Sequence, residues 1–201
     1  AEPLIDEARR LAAAPWRAAS EPLPPPFDDL TYDAYRGIRP RPGAAALLPL
    51  GESWAVDLLP PGLYFPDPVT VELPEAGGFA PRPFSPRLFD FSPRYFDFVS
   101  GDAPGAGFSG LRLRYPLNAA DVLDEVLVVQ GGSYFRAIGR AMAYGLSARA
   151  VAKGTGGPVP EEFPRFTRLR LHRPAGGAAR LEAVLDSPSL DGHRDMTLSP
   201  G

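Results

Sequence analysis

Along this chain the spacing of apolar positions switches between two periods, and the switches mark out the elements. Leu4, Ile5, Ala8, Leu11 and Ala12 recur at helical spacing between Pro3 and Ala14. Pro3 near the first helical position, Asp6 and Glu7 early and Arg9 and Arg10 late all suit a helix and its dipole, and Pro15 stops it. The proline-dense run from Ser20 to Pro26 reads as an extended tether. Thr31 to Ile38 reads as one helical turn with Thr31 as N-cap and Gly37 as its stop. After Gly43 the pattern becomes short β-branched and aromatic runs split by proline and glycine. Trp54 to Leu59, Gly62 to Phe65, Val69 to Leu73, Arg87 to Phe91, Tyr95 to Val99 and Leu111 to Tyr115 are predicted strands. Strict alternation in Leu111-Arg112-Leu113-Arg114-Tyr115 puts both arginines on one face, so the sheet it joins has a wet side. Phe166 to Arg173 and Arg180 to Leu185, joined by a turn at Pro174 to Gly177, form a predicted hairpin. Many short strands and almost no helix predict an all-β protein, a large antiparallel β-sandwich with a short N-terminal helix.

The stretch from Glu125 to Ala152 is the expected centre. Glu125 to Val129 is apolar and β-branched after its first residue, the pattern of a strand covered on both faces. Gly131-Gly132 breaks it, so Ser133, Tyr134, Phe135 and Arg136 turn sharply out of its direction. Small residues then alternate around Met142, Tyr144, Leu146 and Val151. Tyr134, Arg136, Tyr144 and Arg149 are the candidate binding residues: rings stack on a polyhydroxylated ligand and guanidinium groups hydrogen-bond to it. The same residues also suit a plainer arrangement, with tyrosines filling a core and arginines pairing with carboxylates.

Composition narrows the classes. The 201 residues suit one domain, and 44% hydrophobic content argues for folding despite 21 glycines and 26 prolines. A net charge of −3 gives no basic excess for nucleic acid. Cysteine is absent, which removes disulfides and thiolate metal sites. No apolar run approaches the roughly 20 residues that span a bilayer. The start at Ala1 carries no export pattern, so an exported protein has already lost its signal.

Motif by motif, catalysis finds little support. Gly107-Phe108-Ser109-Gly110-Leu111 and Gly145-Leu146-Ser147-Ala148-Arg149 both lack the last glycine of a nucleophile elbow. Gly154 to Gly157 lacks the Gly-Lys-Ser/Thr end of a phosphate loop, and no cofactor is expected. Asp191-Gly192-His193-Arg194-Asp195 gathers three potential ligands but carries an arginine, so it reads as a solvated turn and no metal is expected. Glu161, Glu162 and Asp186 could supply the acid and base of glycosidic cleavage, but adjacent glutamates point to opposite sides of a strand. Arg36 reads as half of a structural ion pair.

Taken in order, several blocks resemble the family of periplasmic glucan biosynthesis proteins G and D. They are Leu30-Thr31-Tyr32-Asp33-Ala34-Tyr35-Arg36, Gly62-Leu63-Tyr64-Phe65, Gly107 to Leu113, Ser133-Tyr134-Phe135-Arg136-Ala137, Tyr144 to Arg149, Glu161-Glu162-Phe163-Pro164 and Leu185-Asp186-Ser187-Pro188. The resemblance implies a periplasmic protein, a sandwich of the galactose-mutarotase type followed by a small immunoglobulin-like domain, and a role in making osmoregulated glucans with a β-1,2-linked glucose backbone. Some members are similar to inverting endo-glucanases. Members are longer, so the expectation is a sandwich incomplete at its C-terminal side, residues 1–201 holding part of it and none of the second domain. The family's acid and base lie beyond, so no catalytic residue carries over. Ala150 to Thr155 and Asp191 to Met196 depart from the family pattern. Tyr134, Arg136, Tyr144 and Arg149 match motif positions and are expected to line a β-glucan groove. Two roles follow: the front of a glycoside hydrolase, or a non-catalytic scaffold acting with membrane-bound glucan synthesis proteins.

Overall fold

A computed structural model describes residues 2–18 and 22–200. Helix α1, Leu4–Ala12, and helix α2, Tyr32–Arg36, precede the strands. The strands in chain order are β1 Ile38–Pro40, β2 Leu48–Gly51, β3 Trp54–Leu59, β4 Thr70–Glu75, β5 Gly78–Pro81, β6 Phe89–Phe91 and β7 Gly110–Tyr115. β8 Asp124–Gln130, β9 Tyr134–Ala137, β10 Ala148–Arg149, β11 Arg165–Leu171, β12 Ala179–Ser187 and β13 Leu190–Leu198 follow. They make a six-stranded sheet, β10-β9-β8-β7-β3-β2, a five-stranded sheet, β13-β12-β11-β4-β5, and a small pair, β1-β6. All pairings are antiparallel except β4 with β11, so the five-stranded sheet is mixed.

The two larger sheets share one core, as expected for a sandwich. Val56, Leu58, Leu111, Leu113, Leu127 and Val129 come from one sheet, and Val71, Leu169, Leu171, Leu181, Ala183 and Leu185 from the other. Phe27, Phe89 and Phe108 fill the space between them. The Trp54 indole donates to the Gly177 carbonyl at 2.9 Å, tying β3 to the β11–β12 turn. Helix α1 buries Leu4 and Ala8 against Val184 on the outer face of the five-stranded sheet, and Glu7 meets Arg168 at 2.7 Å. Thr31 caps α2, its hydroxyl accepting from Ala34 N at 3.2 Å.

Five sequence expectations are corrected. Gly62 to Phe65 is a tight turn bridged at both ends, not a strand. Tyr95 to Val99 is a turn and bend, because Tyr95 N and Phe96 N both fold back onto Ser92 O. Arg87 and Leu88 belong to a 3₁₀ turn, leaving only Phe89–Phe91 as strand. Asp191 to Asp195, read as a solvated turn, is the middle of β13, because β12 pairs with it residue by residue from Ser187↔Leu190 to Ala179↔Leu198. Ser20 and Glu21 of the tether lie outside the described residues. Pro25 and Pro26 make a turn instead of running extended, and it delivers Phe27 to the core.

Candidate functional site on the outer face of the six-stranded sheet

Val126, Leu127 and Val129 of β8 are buried, but Val128 is half-exposed, so β8 is covered on one face and floors a cavity with the other. Full coverage was the reading of its β-branched run; valine serves a cavity floor equally well. Gly131, at φ +61, starts the turn that reverses the chain into β9. A β-carbon there would meet Phe65 Cδ1 at 2.5 Å, so glycine is needed both for the turn and for the packing of that ring. Ser133 fixes the corner by donating to Val151 O at 3.0 Å.

Alternation along β9 then decides what faces outward. Phe135 turns to the core, and Tyr134 and Arg136 share the open face. They line a cavity of about 400 Å³ together with Tyr64, Phe65, Val128 and Gln130. Tyr134 is 37% exposed and Tyr64 is 74% exposed, so two rings are presented to solvent at its rim. Behind it, Gln130 donates to Tyr35 at 2.8 Å and to Ser109 at 2.9 Å. Burial pushes the Tyr35 phenol up to about 12, against the opposing effect of Ser109 and Gln130 beside it, so it remains a neutral strut.

A ladder of charge crosses the same face. Asp57, fully buried, accepts from Arg112 Nε at 2.6 Å and Arg114 Nε at 2.7 Å, and Leu47 N also donates to it. Arg112 reaches on to Glu125 at 3.0 Å, and Glu125 holds Arg136 at 2.9 Å. Burial pulls the Arg112 pKa down, but the Asp57 carboxylate, helped by Glu125, outweighs it and leaves the pKa raised. The Arg136 guanidinium lies 4.6 Å from the centre of the Tyr144 ring, and the Tyr144 hydroxyl donates to the Glu125 carbonyl. Partial burial, with Glu125 behind it, holds that hydroxyl above its usual range. One donor is left over. The Nε–H of Arg136 is buried and has no acceptor among the described residues.

The four expected site residues therefore divide. Tyr134 and Arg136 line the cavity, Tyr144 braces Arg136, and Arg149 turns away. Arg149 pairs with Glu161 and donates to Thr155 at 2.9 Å, with its charge 5.7 Å from the Tyr134 ring and 5.3 Å from that of Phe163. The hydrogen bond to Glu161 raises the Arg149 pKa and lowers that of Glu161. Glu162 is occupied elsewhere: the hydroxyls of Ser187 and Ser189 hold it down to about 2. Asp186 lies 3.5 Å from Arg165, and burial together with Asp186 pushes its cross-strand partner Asp191 up to about 6. These three carboxylates serve separate structural contacts. Arg36 makes no ion pair among the described residues; its guanidinium lies over the Tyr32 ring at 5.7 Å.

Tyr64, Gln130, Asp57 and Glu125 escaped the sequence reading. A single aspartate inside the apolar run Trp54-Ala55-Val56-Asp57-Leu58-Leu59 was a usable signal, since a carboxylate there must be paired when buried. Tyr64 and Gln130 come from distant segments and carry no local mark.

A family model described as "Periplasmic glucan biosynthesis protein, MdoG" matches residues 1–201. The chain belongs to this family. Curated relatives called "Glucans biosynthesis protein G" include one from Vibrio cholerae serotype O1, 36% identical over 196 residues, which cover 96% of this chain and 36% of the relative. One from Shewanella putrefaciens is 37% identical over 200 residues, 98% of this chain and 36% of the relative. "Glucans biosynthesis protein G 1" from Shewanella oneidensis is 35% identical over the same share of each. The chain thus spans about a third of the length of the curated relatives it matches. No helix among the described residues is long and apolar enough to cross a membrane.

Proposed function

We propose that the open face of the six-stranded sheet binds the β-1,2-linked glucose backbone of a periplasmic glucan, with Tyr134 and Tyr64 against sugar faces, Arg136 donating to hydroxyls and the Gln130 side-chain oxygen accepting from them. The observation that carries this reading is the pair of exposed rings, Tyr64 and Tyr134, beside the Arg136 side chain on the wall of one cavity. A cavity of about 400 Å³ suits one or two sugar units and few polar contacts. Family membership supports glucan as the polymer. Tyr144 and Arg149 act one layer back, Tyr144 beneath Arg136 and Arg149 beside Tyr134.

Holding the polymer is the role assigned to these residues. Cleavage with inversion needs one free acid and one free base, and Glu125 is engaged by two guanidinium groups. Titration of the chain with linear β-1,2-glucan oligomers tests the reading. Arg136→Met is expected to weaken binding about tenfold; a folded variant that binds as wild type contradicts it.

A second reading, a scaffold for membrane-bound glucan synthesis proteins, draws on the β9–β10 connection. Met142 is 66% and Leu146 is 99% exposed there, apolar side chains with nothing over them among the described residues. Met142→Ser with Leu146→Ser separates the roles: glucan output in cells falls while glucan binding holds. Unchanged output removes the scaffold.

A further inference from the structure

A second concavity is built by α2, β1 and the turn that follows β6. Register places Ile38 opposite Phe91 and Arg39 opposite Asp90. Ile38 goes to the core, and alternation sends Arg39 outward. Ser92 N donates to Gly37 O at 2.9 Å, pulling the turn against the end of α2. A β-carbon on Gly37 would lie 3.0 Å from Tyr95 Cδ2 and 3.2 Å from Ser92 Cβ, so the close approach depends on glycine. It brings Arg36, Arg39 and Arg94 to the walls of one cavity of about 520 Å³.

The charges there do not balance. Asp90 on the same wall is held by Arg41 at 2.6 Å, and Asp33 is the other carboxylate lining the cavity. Arg36, Arg39 and Arg94 have no carboxylate partner among the described residues. Arg36 and Arg94 lie over Tyr32 and Tyr95, at 5.7 Å and 5.5 Å, a stacked arrangement that leaves their N–H edges free. Three guanidinium groups facing one concavity repel one another, and the same field concentrates anions there. Their forked donors match the oxygens of phosphate and carboxylate.

We propose that this cavity is an oxyanion-binding site for a phosphate- or carboxylate-bearing ligand. The site stands apart from the sugar cavity of Tyr134 and Arg136. Arg36 and Arg39 also line a larger cavity, of about 710 Å³, over Asp57, Arg112 and Arg114. An anion carried on a polymer laid along the sheet could therefore reach it as well as a free one.

Calorimetry on the full chain separates the cases with three probes: inorganic phosphate, neutral linear β-1,2-glucan, and the same glucan chemically phosphorylated. The variant is Arg39→Gln with Arg94→Gln, both exposed and without side-chain hydrogen bonds among the described residues, and a melting curve checks its fold. Wild type is expected to bind phosphate, and the double variant to bind it at least about tenfold less tightly. A phosphorylated glucan that binds more tightly than both other probes assigns the site to a polymer-borne anion. One that gains nothing over phosphate assigns it to a free anion. Phosphate binding untouched by the double substitution, or no phosphate binding together with equal affinity for the two glucans, overturns the proposal. The neutral glucan reads the sugar cavity alone, so its failure is seen separately.

Discussion

Two strands carry nearly the same local pattern and end in opposite situations. Leu111-Arg112-Leu113-Arg114 of β7 and Arg168-Leu169-Arg170-Leu171 of β11 both bury their leucines in the shared core and send arginines outward. On the five-stranded sheet those arginines are consumed. Glu72 holds Arg170 at 2.5 Å and Arg168 at 2.8 Å, Glu7 takes Arg168 as well, Arg170 donates to the Glu2 carbonyl, and α1 lies across Val184. Further out, His172 and His193 both close on Glu182. On the six-stranded sheet Asp57 and Glu125 also pair the arginines, yet among the described residues only the short helix α2 approaches that face, through Tyr35 on Gln130 and Arg36 beside Arg112, and cavities open at Val128 and over Arg112. Alternation fixes which side chains face out, and only the rest of the chain decides whether that face is closed or kept for a ligand.

The sharpest way to break this comparison is at the bases of the ladders. Asp57→Ala leaves the half-buried Arg112 and Arg114 without the buried carboxylate they share and is expected to cost about 3 kcal/mol by urea unfolding. Glucan binding by the surviving fold would fall too, because Arg112 and Arg136 share Glu125. A loss under about 1 kcal/mol would mean that the ladder is decorative. Leu4→Ala, on the covered face, is expected to cost about 2–3 kcal/mol as α1 loosens, with no change in glucan affinity. A parallel loss of affinity would show that the two faces are coupled. Tyr134→Ala reverses that signature, weakening glucan binding by about 2 kcal/mol while stability changes by less than about 0.5 kcal/mol.

Helix α1 was legible because its charges and prolines agree with its period, and the core strands were legible because leucine and valine alternate or run together. β13 was not: Leu-Asp-Gly-His-Arg-Asp-Met-Thr-Leu has no apolar stripe. It is held by its ladder to β12, with His193 on Glu182 and Asp195 on Arg180, contacts that a local window does not contain. The aromatic run Gly62 to Phe65 read as strand because tyrosine and phenylalanine favour strands. In the fold those rings serve the cavity from a turn, and Gly131 leaves room for Phe65. Tyr134 and Arg136 could be placed together from their i, i+2 spacing. Where Arg149 turns depends on Glu161, twelve residues away, and no periodicity encodes it.

The smallest effect concerns the loop beside the site. Glu162 is depressed to about 2 by Ser187 and Ser189, so its contribution is present above its ordinary value near 4.5 and is lost as pH falls from there towards 2. Glu162→Gln should flatten the acid limb of a stability-against-pH curve over that window. An unchanged limb would assign the acid sensitivity to other carboxylates.

Backbone hydrogen exchange with and without linear β-1,2-glucan tests the central claim, that the open face of the six-stranded sheet is the one that receives the polymer. Slowed exchange across Val128 to Arg136, with β11 to β13 unchanged, is the predicted result. Protection confined to β11, β12 and β13, or no protection at saturating glucan, would contradict it.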